Sequence, residues 1–335
     1  MTILLTGGTG YIGSHTALAL HEAGFDVLLM DNLFNSNVSV LDRLFTISGH
    51  RFTFIEGDVR DSKLLEKIFQ NFQIESVIHF AGLKAVGDSN VRPLEYYDNN
   101  VHGSLTLLRT MDLFKVYKFV FSSSATVYGN PNYLPIDEDH PKSATNPYAN
   151  SKLQVEEILI DLAKSDQNWR IACLRYFNPV GAHMSGLIGE NPNGIPNNLM
   201  PYISQVASGQ LKQLNIFGDN YPTIDGTGVR DYLHITDLAE GHLAAMKYLN
   251  QSTGFNSFNL GTGHGTSVKQ MVSTFEKVNK VKIPFDVVSR RQGDVASCFA
   301  KVDKSNFEMN WKARKSLEEM CVSAWKWQQY IKKIT

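Results

Sequence analysis

Short runs of Ile, Val, Leu and Phe recur through the first half of this chain, and their spacing limits the available folds more than any other feature. They occupy residues 2–5, 27–30, 52–55, 77–80, 119–121 and 171–176. A longer amphipathic stretch separates each run from the next, which is the rhythm of β-α-β units. The runs do not alternate apolar with polar residues, so helices must cover both faces of the predicted strands. An α/β fold with an open, doubly wound parallel sheet follows.

After Phe177 the texture changes. Pro and Asn cluster in Asn178-Pro179 and in Asn191-Pro192-Asn193-Gly194-Ile195-Pro196-Asn197-Asn198, and a Gly-rich run follows at Asp225-Gly226-Thr227-Gly228. We place a domain change here. Residues 1–176 form the larger unit, rejoined by a returning segment near 231–262, and residues 177–335 form a smaller C-terminal α/β domain over the crevice beyond the strand ends. Residues 316–334, with Trp325 and Trp327 on a helical pattern, are expected to pack on that smaller domain.

Composition narrows the partners. The chain has 32 Lys and Arg against 33 Asp and Glu, and 32 − 33 gives a net charge of −1, so no basic field draws it to nucleic acid. Three cysteines, Cys173, Cys298 and Cys321, are widely spaced without a C-x-x-C pair, which fits a reducing cytoplasm. No apolar run approaches the roughly 18 residues of a membrane helix. The first Lys or Arg is Arg43, so a signal peptide's basic start is missing and the mature chain is expected to begin at or near Met1. The histidines form no H-E-x-x-H, and no metal site is expected.

Between the first strand and the following helix lies Gly7-Gly8-Thr9-Gly10-Tyr11-Ile12-Gly13. Residues without Cβ let the chain turn tightly, admit a pyrophosphate to the backbone amides and let helix pack on strand, while the helix N-terminus adds partial positive charge. That is the Rossmann-type arrangement. Asp31, at the end of the second run, is placed to accept hydrogen bonds from an adenosine ribose. It also disfavours a 2′-phosphate, because the segment 32–40 holds no Lys or Arg to offset the like charge. NAD is therefore the expected cofactor, with Asp58 and the segment His79-Phe80-Ala81-Gly82 as further lining. A second glycine cluster, Gly261-Thr262-Gly263-His264-Gly265, reads as punctuation before a helix near Ser267.

The chemistry centres on Asn146-Pro147-Tyr148-Ala149-Asn150-Ser151-Lys152, a helix start with Pro at or near its first position. Tyr148 and Lys152 fall on one helix face, where an ammonium favours an ionised phenol. Half ionisation at neutral pH needs a shift of about 3 pH units, or roughly 4 kcal/mol. One cation at about 4 Å supplies a similar amount at an effective dielectric near 20, before desolvation is subtracted. The hydroxyls of Ser122-Ser123-Ser124-Ala125-Thr126 follow the fifth run and face the same crevice.

Together the glycine loop, the Tyr-x-x-x-Lys pair and Ser124 resemble the extended short-chain dehydrogenase/reductase superfamily. Ala81-Gly82-Leu83-Lys84, Tyr96-Tyr97-Asp98-Asn99-Asn100, Ser122 to Gly129, Arg175-Tyr176-Phe177-Asn178-Pro179, Gly194 to Pro201 and Asp225 to Tyr232 narrow the match to the UDP-glucose 4-epimerase family. The resemblance covers almost the whole chain. It implies that Tyr148 takes the sugar 4-hydroxyl proton while hydride passes from C4 to NAD, that the 4-keto sugar swings over, and that hydride returns to the other face. Ser124 would hydrogen-bond the reacting oxygen and assist proton movement, and Lys152 would hold the nicotinamide ribose and lower the Tyr148 pKa. The implied cofactor set is Gly7, Gly10, Tyr11, Ile12, Gly13, Asp31, Asn32, Asn35, Ser36, Asp58, Val59, Phe80, Ala81, Gly82, Lys84, Asn99, Ser122, Tyr148, Lys152 and Phe177.

The implied nucleotide-sugar set is Lys84, Ser124, Tyr148, Asn178, Asn198, Leu199, Asn215, Phe217, Arg230, Tyr232, Arg291, Asp294 and Cys298, with Arg230 and Arg291 neutralising pyrophosphate. Epimerases confined to unmodified hexoses usually carry Tyr where this chain has Cys298, so the resemblance implies that UDP-GlcNAc and UDP-GalNAc are accepted as well. It also implies a homodimer. Two other readings compete. Nucleotide-sugar 4,6-dehydratases place an Asp-Glu pair after the hydroxyl residue, whereas Ala125 and Thr126 follow Ser124 here. A silent NAD-sensing regulator commonly loses the Tyr or the Lys, and both remain.

Overall fold

A computed structural model of the chain describes residues 2–192, 194–291 and 293–334; Asn193 in the loop run and Gln292 beside Arg291 lie outside the described residues. Strands form at all six apolar runs: β1 (Thr2–Thr6), β2 (Asp26–Asp31), β3 (Thr53–Glu56), β4 (Ile74–His79), β5 (Lys118–Ser124) and β6 (Arg170–Tyr176). A further strand, Gly254–Leu260, joins the outer side of β6. The seven strands run in the order Gly254–Leu260, β6, β5, β4, β1, β2, β3, with every neighbouring pair parallel. The order reverses between β1 and β4, and in open α/β sheets that switch point opens a crevice at the strand carboxyl ends.

Helices cover both faces, which explains the missing alternation. Leu5, Leu29, Ile78, Val120 and Leu174 pack on one face with Leu18 and Leu20 of α1 (Tyr11–Glu22) and Leu238 of the helix Ile235–Tyr248. Leu4, Leu28, Val77, Phe119 and Ile171 pack on the other with Leu65, Leu107 and Leu159 from three further helices. Each fully buried side chain of this size contributes about 1.5–3 kcal/mol before conformational entropy is subtracted.

A third cluster of Met200, Ile203, Leu214, Ile216, Met271, Phe275 and Met320 forms the core beyond Phe177. The helix Leu317–Ile334 supplies Met320, Cys321 and Ala324 to it, and Trp325 packs against it. Trp327 packs instead with Ala182 and Ile331, and its indole donates to the Glu190 carbonyl. The second glycine cluster wraps a buried carboxylate: Thr262 and Gly263 donate their backbone N–H groups to Asp231. The helix after it begins at Val268 with a capping box between Ser267 and Gln270.

Candidate functional site

The glycine loop leaves β1 and enters α1 with its backbone pressed into a tight cradle. Gly7 has φ +71°, and a Cβ there would lie 2.8 Å from the Ala81 backbone nitrogen. A Cβ at Gly13 would run into the Gly7 carbonyl oxygen. Side chains at either position would fill the space in which backbone amides meet a phosphate. Gly10 caps α1 without a side-chain acceptor, so the first-turn amides and the positive end of the helix are left to a ligand. Tyr11 donates its hydroxyl to the Gly181 carbonyl at 2.7 Å, tying this loop to the strap beyond β6.

Asp31 is only 8% exposed at the end of β2. Its carboxylate accepts from the Thr9 N–H at 3.2 Å, the Leu33 N–H at 2.9 Å and the Ser36 hydroxyl at 3.0 Å. Asn32 donates to Asp58, and the Arg60 guanidinium beside Asp58 holds that carboxyl well below the usual carboxylate range. Val59 is buried, Phe80 stands 4.8 Å from the His242 ring, and Asn35 is exposed. Glycines that admit a pyrophosphate, an uncapped helix start and a fixed carboxylate next to the loop together fit NAD.

The helix Pro147–Ser165 starts here because Pro147 occupies its first turn and the Asn146 side chain accepts from the Ala149 N–H at 2.9 Å. One turn on, Lys152 is buried and donates to the Ser122 carbonyl at 2.8 Å, with its ammonium 5.0 Å from the Phe121 ring centroid. Burial brings the Lys152 pKa down to about 8. A Cβ on Gly82 would sit 3.5 Å from this ammonium, so Gly82 and Lys152 face one space. Burial pushes the Tyr148 phenol up, and the Ser124 hydroxyl and the Lys84 ammonium pull it partly back. The cation that acts on the phenol is therefore Lys84; Lys152 is drawn down onto the strand end.

Lys84 in turn pairs with Glu190 at 2.9 Å, and Glu190 also accepts from the Asn198 side chain at 3.0 Å. The sequence offers no role for Glu190, and it marks Asn100 only as the end of the segment Tyr96-Tyr97-Asp98-Asn99-Asn100. The buried Asn100 side chain accepts from the Leu83 N–H at 2.8 Å and donates to Ser151 at 2.9 Å, joining the loop after β4 to the helix of Tyr148. Its neighbour Asn99 is half-buried. Glu156, one turn beyond Lys152, is a third omission. It is fully buried, accepts from Ser123 at 2.6 Å and pairs with Arg175 at 2.7 Å, and these bonds pull its pKa down against the opposing effect of burial. Only the i, i+4 spacing of Lys152 and Glu156 offered a signal in the sequence.

The remaining expected residues lie along the crevice's other wall, on shorter elements. Phe177 is buried and hydrogen-bonded to the Leu260 carbonyl, while Asn178 and Asn198 are exposed and Leu199 is half-buried. Arg291 pairs with Asp294 at 2.9 Å and stands 5.5 Å from the Phe217 ring, which is 42% exposed. Arg230 is held separately, donating to the carbonyls of Val229 and Val295, each at 2.9 Å. Asn215 stands exposed on the strand Leu214–Phe217, and Tyr232 is buried, its phenol pushed up to about 12. Cys298 pairs in register with Arg230 and packs against the cluster that holds Ala125 and Phe177. Burial lifts its thiol to about 11.

Sheet, glycine cradle and Ser-Tyr-Lys grouping define an NAD-dependent enzyme of the extended short-chain dehydrogenase/reductase class. The sequence profile of the GDP-mannose 4,6 dehydratase family matches residues 4–324. A UDP-glucose 4-epimerase of Pasteurella multocida is 56% identical over 330 residues, 98% of each chain. The solved UDP-glucose 4-epimerase of Stenotrophomonas maltophila, with NAD and a formylated UDP-arabinopyranose, superposes with TM-score 0.99 at 47% identity over the whole of both chains. That of Bifidobacterium longum, with NAD and UDP, gives 0.95 at 49% identity over 98% of each chain. Within its class, the chain belongs to the UDP-glucose 4-epimerase family of NAD-dependent isomerases.

Proposed function

We propose that Tyr148, Ser124, Lys152 and Lys84 carry out the proton chemistry of UDP-hexose 4-epimerisation in this crevice. The observation that supports this most is that Lys152, one turn beyond Tyr148, reaches the Ser122 carbonyl at the end of β5, where the Ser124 hydroxyl and the Lys84 ammonium lower the Tyr148 pKa against burial. Tyr148 takes the proton of the sugar 4-hydroxyl and later returns it to the same oxygen, acting first as base and then as acid. Ser124 supports this exchange through its hydroxyl, which lowers the Tyr148 pKa. Lys152, anchored on Ser122, faces Gly82 and holds the nicotinamide ribose. NAD, when bound along Gly7, Gly10, Gly13 and Asp31, supplies the hydride acceptor and, in its oxidised form, a positive charge beside the phenol.

The nucleotide half of the substrate is gripped by Arg230 and Arg291, with Phe217 and Asn215 towards the base and Asn178, Asn198, Leu199, Tyr232 and Asp294 completing the pocket. The hexose is held less tightly, so that it can present either face to one acceptor. Cys298, smaller than the Tyr of glucose-restricted relatives, leaves room for a 2-acetamido group, which extends the substrates to UDP-GlcNAc and UDP-GalNAc. The strand Gly254–Leu260 beside β6 supports assigning the returning segment 231–262 to the cofactor domain. Exposed Val91 and Leu94 support a homodimer, and free thiols at Cys173, Cys298 and Cys321 support a cytoplasmic setting. Incubation with UDP-galactose, then UDP-GalNAc, without added cofactor is the test. Epimers of both are expected; a dehydrated sugar or no product overturns the reading.

A further inference from the structure

We infer that Thr126 is a positioning residue that holds Ser124 as a hydrogen-bond donor only, so that the sugar proton reaches Tyr148 without passing through the serine. This rests on Tyr148 being the base. Ser124 ends β5 and caps the single helical turn Ala125–Tyr128, so the turn itself directs the Thr126 N–H to its oxygen at 3.2 Å. The Thr126 hydroxyl donates to the same oxygen at 3.0 Å. A serine hydroxyl has two lone pairs and one proton. Both lone pairs are taken, which leaves the single proton as all this hydroxyl can offer to Tyr148, whose pKa it lowers.

The consequence is chemical. A relay through Ser124 requires its oxygen to accept the sugar's proton as it gives up its own. With two donors already on that oxygen, the relay has no place for the incoming proton. Direct transfer needs only that the sugar O–H bond break as the phenolate O–H bond forms, with Ser124 keeping its proton throughout. A donor fixed on the phenolate favours the ionised form. Tyr148 is also faced by Lys84 from the loop after β4 and by Tyr176 from β6. Thr126 is hydrogen-bonded to none of them in this structure, so a substitution there reads out through Ser124.

Thr126→Val removes the hydroxyl and keeps the backbone donor. We expect kcat to fall about tenfold and the acid limb of kcat against pH to rise by about half to one unit, with bound NAD unchanged. Thr126→Ser restores both. On a Ser124→Ala background, Thr126→Val adds no further loss; Thr126→Ala replaces it throughout if the valine variant does not fold. An acid limb that stays in place overturns the inference. So does faster turnover, which a relay freed of one donor would give, and so does a multiplicative loss in the double variant. Tyr148→Phe is measured alongside: retained turnover there defeats the assignment of the base, whereas a silent Thr126→Val beside a dead Tyr148→Phe defeats only the present inference.

Discussion

The two walls of the crevice are built differently. On the cofactor side, side chains are fixed by long-range bonds to buried backbone: Asp31 to Thr9, Lys152 to Ser122, Asn100 to Leu83. On the opposite wall the exposed Arg291 is held by Asp294, three residues along the same loop. Exposed pairs contribute little to stability and exchange partners readily. The difference teaches how one active site serves two epimers. The reacting groups stay put, and the groups that meet the mobile substrate are free to trade a protein carboxylate for a ligand.

The largest expected effect falls on the fixed wall. Tyr148→Phe should lower kcat by about 10³-fold with KM nearly unchanged; steady-state kinetics with UDP-galactose check it, and a loss confined to KM would break the contrast. On the open wall Arg291→Ala should do the reverse. Losing a charge-assisted contact to pyrophosphate should raise KM by about thirtyfold, with kcat and bound NAD retained.

The fixed wall also carries a pH dependence. His79 is buried between the hydroxyls of Thr6 and Ser104, and burial brings its pKa down to about 3. A histidine held neutral in the fold stabilises it fully above the unfolded pKa of about 6.5, and that stability drains as pH falls towards the folded value. At pH 5 the loss from this one residue is about 2 kcal/mol. Urea midpoints at pH 7 and pH 5 should differ accordingly, and equal midpoints would contradict it. The smallest effect is one of selectivity. Cys298→Tyr should depress turnover of UDP-GalNAc relative to UDP-galactose by about tenfold; parallel product analysis reads it, and equal losses on both would remove the gate.

What the sequence disclosed was local. Apolar runs without alternation marked strands covered on both faces, and the glycine spacing marked the turn under α1, because each signal lies within a few neighbouring residues. The strand Gly254–Leu260 was indistinct: Asn256, Ser257 and Asn259 interrupt its apolar pattern, and Asn259 is tolerated inside because Tyr128 and the Ile136 carbonyl pair with its side chain. Spacing set Tyr148 and Lys152 one turn apart on the helix Pro147–Ser165, yet could not show that Lys152 reaches down to Ser122 or that Lys84, from another loop, acts on the phenol. Glu190, Asn100 and Glu156 act through partners distant in the chain, and no periodicity reports such contacts.

The fate of the hydrogen at C4 is the most direct test of transfer to bound NAD and back. UDP-galactose carrying deuterium at C4, incubated with the purified protein and no added cofactor, should yield UDP-glucose with the deuterium still at C4. Loss of the label to solvent, with the epimer formed, would contradict it.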